Sequence, residues 1–369
     1  MKEDDSRKLD NSILGNLTNV RKNNLDTLRL IAAFLVIYSH SFVFVGLGQP
    51  GPPFYQNTYG GFGITIFLII SGFLITQSYL RSNNPIRYLW GRFIRIFPAL
   101  IFIVLLTVFV LGPLITNLPK GEYFSSSQTY SYLRMITLYD VQYSLPGVFT
   151  DNPVHAVNGS LWILEYQFSF YLAVLFLGVT RLLQKRQIVL GLFVVSLVLN
   201  YFDIGISTNI YTINIFWAVK LFTYFSFGMV AYLYRDHIPL RASLFFLAVA
   251  MLIIASFKSG FSDILFVFLL GYIVLFIGYS PKVNISWPAR FGDFSYGIYI
   301  FAYPVQQTVV YLFDGKMSAW SNFLISGVIT YILAVLSWFL IEKRVLKHKN
   351  VPFTSFLRKN ESPATTRLS

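Results

Sequence analysis

The stretch Leu25–Gly46 reads LDTLRLIAAFLVIYSHSFVFVG. It opens on an Asp and an Arg, turns apolar, and holds one His deep inside. Roughly twenty consecutive apolar residues are what a helix needs to cross the hydrocarbon core of a bilayer. Stretches of the same kind recur at 61–80, 96–117, 159–181, 187–203, 211–234, 240–258, 262–279, 293–313 and 322–342. The pattern predicts an all-α, polytopic membrane bundle of about ten transmembrane helices. A membrane barrel would show short alternating segments instead.

Composition points the same way. Charged residues make up 12% of the 369 and hydrophobic residues 55%, whereas a soluble domain carries about 25% charged residues. There is no Cys, which excludes disulfides and thiolate chemistry, and no metal site is expected.

The net charge of +13 is distributed, and the distribution carries the information. Cytoplasmic loops of membrane proteins are enriched in Lys and Arg. With ten spans and the N-terminus inside, 24 of the 29 Lys and Arg fall on the inner side. Both termini are therefore expected in the cytoplasm, in a multi-pass protein of the plasma (inner) membrane. The charge reads as an orientation signal, with the lipid bilayer as its partner and no nucleic acid. Residues 1–24 form an N-terminal tail, 25–344 the membrane domain and 345–369 a C-terminal tail, expected to be disordered after Lys349. The longest loop, 118–158, faces outside.

Ionisable groups inside membrane helices are costly and mark function by default. His40 lies eleven residues after Arg29, about three turns and roughly 16 Å along one helix face. A neutral His can take a proton from a hydroxyl. Glu165 and Lys220 lie at a depth similar to that of His40 on their own helices, which predicts one shared polar cavity. A structural Glu165–Lys220 ion pair is the alternative. Asp26 and Arg29 are spaced to pair. Arg92 and Arg95 share a face and, with Arg29, suit a phosphate clamp.

These residues carry a resemblance. The run Leu25-Asp26-Thr27-Leu28-Arg29 through His40 resembles the first helix of the acyltransferase-3 family of membrane proteins. Gly61-Phe62-Gly63-Ile64 and Ile70-Ser71-Gly72-Phe73 resemble its second helix, and Arg92-Phe93-Ile94-Arg95 its paired-arginine motif. Asn158-Gly159-Ser160-Leu161-Trp162 through Glu165 and Ser295-Tyr296-Gly297-Ile298-Tyr299 resemble two later signatures. All five occur in the family's order.

The resemblance implies transfer of an acyl group, acetyl above all, from cytoplasmic acyl-coenzyme A to a hydroxyl of an exported or cell-surface glycan, lipid-linked or free. Acetyl-coenzyme A is then a co-substrate, with no tightly bound cofactor. His40 maps to the family's essential His, as base or acyl acceptor, with Glu165 beside it to orient it. Arg29, Arg92 and Arg95 map to the donor site. Lys220 and the aromatics Trp162, Tyr166 and Tyr296 are candidates to contact the acceptor, and amides near Ser71-Gly72 to stabilise an oxyanion. Many members carry a His where this chain has Ala302, so that His cannot be required here. Without a fused esterase-like domain, transfer finishes within the membrane domain or passes to a separate extracytoplasmic partner. A glycan or lipid-linked sugar transporter, with His40, Glu165 and Lys220 as its site, is the alternative reading.

Overall fold

The computed structural model describes residues 12–18, 23–53, 58–202, 208–256, 263–281, 283, 285 and 292–350. The expected disordered tail beyond 350 lies outside the described residues. Among the described residues, ten longer helices overlap the ten apolar stretches: α1 (Leu25–Phe44), α2 (Tyr59–Ser82), α3 (Pro85–Leu106), α4 (Trp162–Val179), α5 (Arg186–Tyr201), α6 (Ile215–Leu233), α7 (Ala242–Ser256), α8 (Asp263–Tyr279), α9 (Ser295–Leu312) and α10 (Ala319–Ser337). A π turn carries α3 on to Ile115, and another carries α10 on to Leu346.

Among the described residues, six helical segments are long and apolar enough to cross a membrane: 25–44, 59–82, 85–115, 159–179, 215–233 and 319–346. α5, α7 and α8 are shorter apolar helices. α9 is set apart by composition, with Gln306, Gln307 and several Tyr. Its residues from Ser295 to Pro304 are all buried, so these polar groups bond to protein instead of meeting lipid. On α10 the converse holds. Leu324, Val328, Ile332, Leu336 and Leu340 are all exposed, an apolar stripe that in a bilayer meets hydrocarbon.

Local chemistry sets the helix ends. Thr58 caps α2 by accepting from the Gly61 amide. Asn83 turns left-handed to end α2, and Asn84 caps α3 ahead of Pro85 at its first turn. α3 therefore starts at Pro85 and not near 96, because Arg87, Arg92 and Arg95 lie inside the helix. Hydropathy reads those charges as a loop.

α2 is the central helix. Gly63 packs on the α1 backbone, where an added Cβ would lie 2.5 Å from the Ala32 carbonyl oxygen. Gly72 packs on α6, and a Cβ there would meet the Phe225 oxygen at 1.9 Å. Small residues at such crossings let membrane helices touch backbone to backbone. α1, α9 and α10 are tied by Gln306, whose Nε2 donates to Ile37 O, Ser41 Oγ and Asn322 Oδ1.

The 116–158 connection is folded and docked. Asn152 Nδ2 donates to Gln307 Oε1, and Gln307 Nε2 donates to the Val154 and Ala156 carbonyls. Part of the N-terminal tail is also docked: Ser12–Ile13 pairs antiparallel with Pro239–Leu240.

Candidate active site

α1, α2, α4, α6 and α9 enclose a cavity of about 220 Å³. His40 from α1 and Lys220 from α6 both line it, together with Trp162, Thr65, Tyr224 and Tyr299. The similar depths read from the sequence thus do place His40 and Lys220 in one chamber. The His40 ring is held by packing, edge-on to Phe44 (5.9 Å) and to Tyr303 (5.3 Å). Its Nδ1 is buried with no hydrogen-bond partner. Nε2 makes no hydrogen bond among the described residues, and the side chain lines the cavity.

Lys220 makes no ion pair among the described residues; its Nζ lies 5.3 Å from the centre of the Phe216 ring. The Glu165–Lys220 pair therefore does not form. Trp162 stacks edge-on against Trp217 and Tyr166 at the cavity wall.

Glu165 is placed elsewhere. It is buried but does not line the cavity, and it makes no hydrogen bond to His40. Its carboxylate lies by Thr212, with Tyr143 and Tyr166 nearby, and its Oε1 has no partner. Tyr166 likewise turns away, its hydroxyl accepting from the Asn214 amide. The amides at Ser71-Gly72 lie in the middle of α2, within the helical ladder and against α6. They are not free to hold an oxyanion.

The two later signatures explain each other. Tyr299 Oη donates to the Ser160 carbonyl (2.6 Å), and Asn158 Nδ2 donates to the Ile300 carbonyl (2.9 Å). They lock the start of α4 onto α9 and fix Trp162 and Tyr299 in the cavity wall. Tyr299 also faces a constriction of about 40 Å³ shared with Arg29, Phe67, Gln167 and Tyr296. The Tyr296 hydroxyl is committed to the Ile96 carbonyl (2.8 Å). Arg29 and His40 thus line neighbouring spaces that share Ile64 and Tyr299 in their walls.

At the Arg29 end, the three arginines part company. Arg29 Nη1 donates to Asp293 Oδ2 (2.6 Å), and Asp26 lies farther off at 3.7 Å. Arg95 donates to the same Asp293 oxygen and to Glu342 Oε2 (3.2 Å). Tyr296 and Trp338 flank the Arg95 guanidinium at 5.6 and 5.8 Å. Ser295 and Ser337 complete the two carboxylates. Arg92 is in none of these pairs; it lines a separate pocket with Arg81 and Arg87. Asp293 and Glu342 were missed from sequence because each sits at the outermost position of an expected span, 293–313 and 322–342. The signal was Arg29 and Arg95 themselves, since two partly buried guanidiniums require counter-charges.

A bundle of membrane-length helices closed around a His- and Lys-lined chamber defines a multi-pass membrane protein with an internal polar site. Residues 22–339 match the model of a family described as an acyltransferase domain, and the chain belongs to that family: it is an acyltransferase. The chain is 32% identical over 341 residues to an O-acetyl transferase of Shigella phage Sf6, covering 88% of this chain and 96% of the relative. It is 30% identical over 354 residues to Nodulation protein 10 of Rhizobium leguminosarum bv. viciae, covering 88% and 94%. No solved structure matches the chain.

Proposed function

We propose that this protein moves an acetyl group from acetyl-coenzyme A in the cytoplasm to a hydroxyl of an exported or cell-surface glycan. In this reading it crosses the plasma membrane ten times with both termini in the cytoplasm, a topology supported by the 24 of 29 basic residues that it places on the inner side. The name of the phage relative, O-acetyl transferase, supports acetyl and oxygen as donor group and acceptor atom.

The observation that carries the reading is the cavity lined by both His40 and Lys220. The donor thioester reaches this cavity from the Arg29 side and the glycan hydroxyl from the other. His40 takes the hydroxyl proton as the oxygen attacks the thioester carbonyl. The carbon–sulfur bond breaks, an ester forms, and the proton passes to the departing thiolate. Lys220 supplies the positive charge for a developing oxyanion or for the acceptor. Trp162 offers a flat face to a sugar ring. Transfer finishes in this cavity or on a separate extracytoplasmic partner that carries the group onward.

The distance fits the donor. Arg29 and His40 are roughly 16 Å apart along the unbroken α1. An extended pantetheine arm is on the order of 15–20 Å by chain-length reasoning. The thioester thus reaches His40 while the nucleotide end stays at the cytoplasmic face. The test is the acetyl content of surface glycan in cells expressing His40→Ala at the wild-type protein level. Loss of acetylation is expected, and full acetylation overturns the assignment.

A further inference from the structure

Along α6 the residues that line the His40 cavity are Trp217, Lys220, Leu221 and Tyr224. That spacing is one face of a helix, and Trp217 is its first member. Its side chain is 40% exposed, which puts it at the rim, where the exposed Gln49 also lines the opening. The Trp217 and Trp162 rings meet at 5.8 Å with their planes 67° apart, an aromatic corner at the mouth of the cavity.

The corner is held from both sides. Asn214 Oδ1 accepts from the Trp217 amide (3.2 Å) as the cap of α6, and the Asn214 amide donates to the Tyr166 hydroxyl (3.2 Å). Tyr166 in turn packs edge-on against Trp162 at 5.5 Å. The start of α6 and the first turn of α4 thus fix the two indoles relative to each other. An exposed Trp in a membrane protein is commonly an interfacial anchor. Trp320, 58% exposed at the start of α10, fits that description, because it packs on Tyr38 and Phe323 and lines neither the cavity nor the constriction. Trp217 differs in that its neighbour is a second indole of the cavity wall.

We infer that Trp217 determines which acceptor the site takes. With Trp162 it holds a single pyranose unit by an apolar C–H face, which packs against the electron-rich faces of the rings, while the rest of the glycan stays outside. Gln49 and the Lys220 ammonium meet the hydroxyls at the edge of the sugar. The size agrees. A cavity of about 220 Å³ is smaller than the roughly 300–1,000 Å³ of sites for drug-sized ligands, room for one ring and not for a chain. Among the described residues no carboxylate lines it. In the knot of Arg29, Arg95, Asp293 and Glu342 the cations are neutralised within the protein, whereas Lys220 keeps its donors for the sugar. The inference rests on the acyl-transfer reading above and specifies the acceptor unit: a pyranose with one face free of axial hydroxyls.

The test uses the full chain in detergent, acetyl-coenzyme A, and surface glycan extracted from cells that lack the protein. Trp217→Ala is expected to raise the KM for the glycan about tenfold, with kcat and the KM for acetyl-coenzyme A unchanged. Trp217→Phe keeps a flat ring and is expected to recover most of that loss, and Trp320→Ala is expected to change neither constant. Mass spectrometry and NMR of the product are expected to place the acetyl group on a pyranose unit with one face free of axial hydroxyls. An unchanged glycan KM in Trp217→Ala overturns the inference and leaves acyl transfer standing. So does an equal loss in Trp217→Phe, or acetylation of a furanose or of a pyranose with axial hydroxyls on both faces. Wild-type protein that moves no acetyl group from acetyl-coenzyme A to the glycan overturns the acyl-transfer reading and the inference with it.

Discussion

The two ends of α1 treat buried polar groups in opposite ways. At the His40 end, Nδ1 of His40 lacks a partner, Lys220 pairs with no carboxylate among the described residues, and both side chains line one cavity. At the Arg29 end, Arg29, Arg95, Asp293, Glu342, Ser295 and Ser337 are bonded to one another. The second arrangement satisfies charge within the protein and suits a joint between α1, α3, α9 and α10. The first keeps polar groups available for something that is not protein. The contrast separates groups that hold the bundle together from groups placed for chemistry.

The largest expected effect tests the open end. His40→Ala removes the only imidazole lining the cavity, and acyl transfer is expected to fall by about 100- to 10,000-fold, the usual contribution of a positioned base. Thermal unfolding in detergent is expected to shift little, because the ring is held by two edge-on aromatic contacts and no hydrogen bond. A large stability loss at unchanged turnover per folded molecule would reverse the comparison.

The next effect tests the closed end, with the readouts exchanged. Asp293→Asn strips the shared counter-charge from Arg29 and Arg95. Breaking a buried pair on one side costs about 3–5 kcal/mol, so the unfolding midpoint is expected to drop clearly. Smaller still is Tyr299→Phe, which leaves the buried Ser160 carbonyl without this donor at about 1–3 kcal/mol. The α4–α9 joint would loosen, and activity would fall through displacement of Trp162. If Asp293→Asn melts like the wild type, the knot is not structural.

Much of this was legible in the sequence, and the residues that were not share one reason. Hydropathy places a helix along the membrane normal and so fixes depth, which is why His40 and Lys220 were expected at one level and do meet in one cavity. Depth says nothing about rotation about the helix axis. Trp162 and Glu165 are three residues apart on α4, yet only Trp162 faces the cavity, because docking of α4 on α6 and α9 sets the rotation. The same blindness hid the split between Arg92 and Arg95, because the partners of Arg95, Asp293 just before α9 and Glu342 just after α10, lie some 200 residues or more away. The start of α3 was a different failure. Asn84 and Pro85 are a cap and a first-turn residue readable from sequence, but Arg87, Arg92 and Arg95 make the first turns of α3 too polar to register as an apolar run.

The smallest expected effect uses that rotation directly. Lys220→Gln and Glu165→Gln each remove one ionisable group at similar depth, but only Lys220 borders the cavity. Lys220→Gln is expected to raise the acceptor KM by about tenfold, the worth of one charge-assisted hydrogen bond. Glu165→Gln keeps the shape of a side chain whose Oε1 has no hydrogen-bond partner, and it is expected to leave KM unchanged. Equal losses in the two variants would mean that α4 rotates during the reaction cycle and carries Glu165 toward His40. Steady-state kinetics with acceptor varied at saturating acetyl-coenzyme A decides between a fixed wall and a turning one.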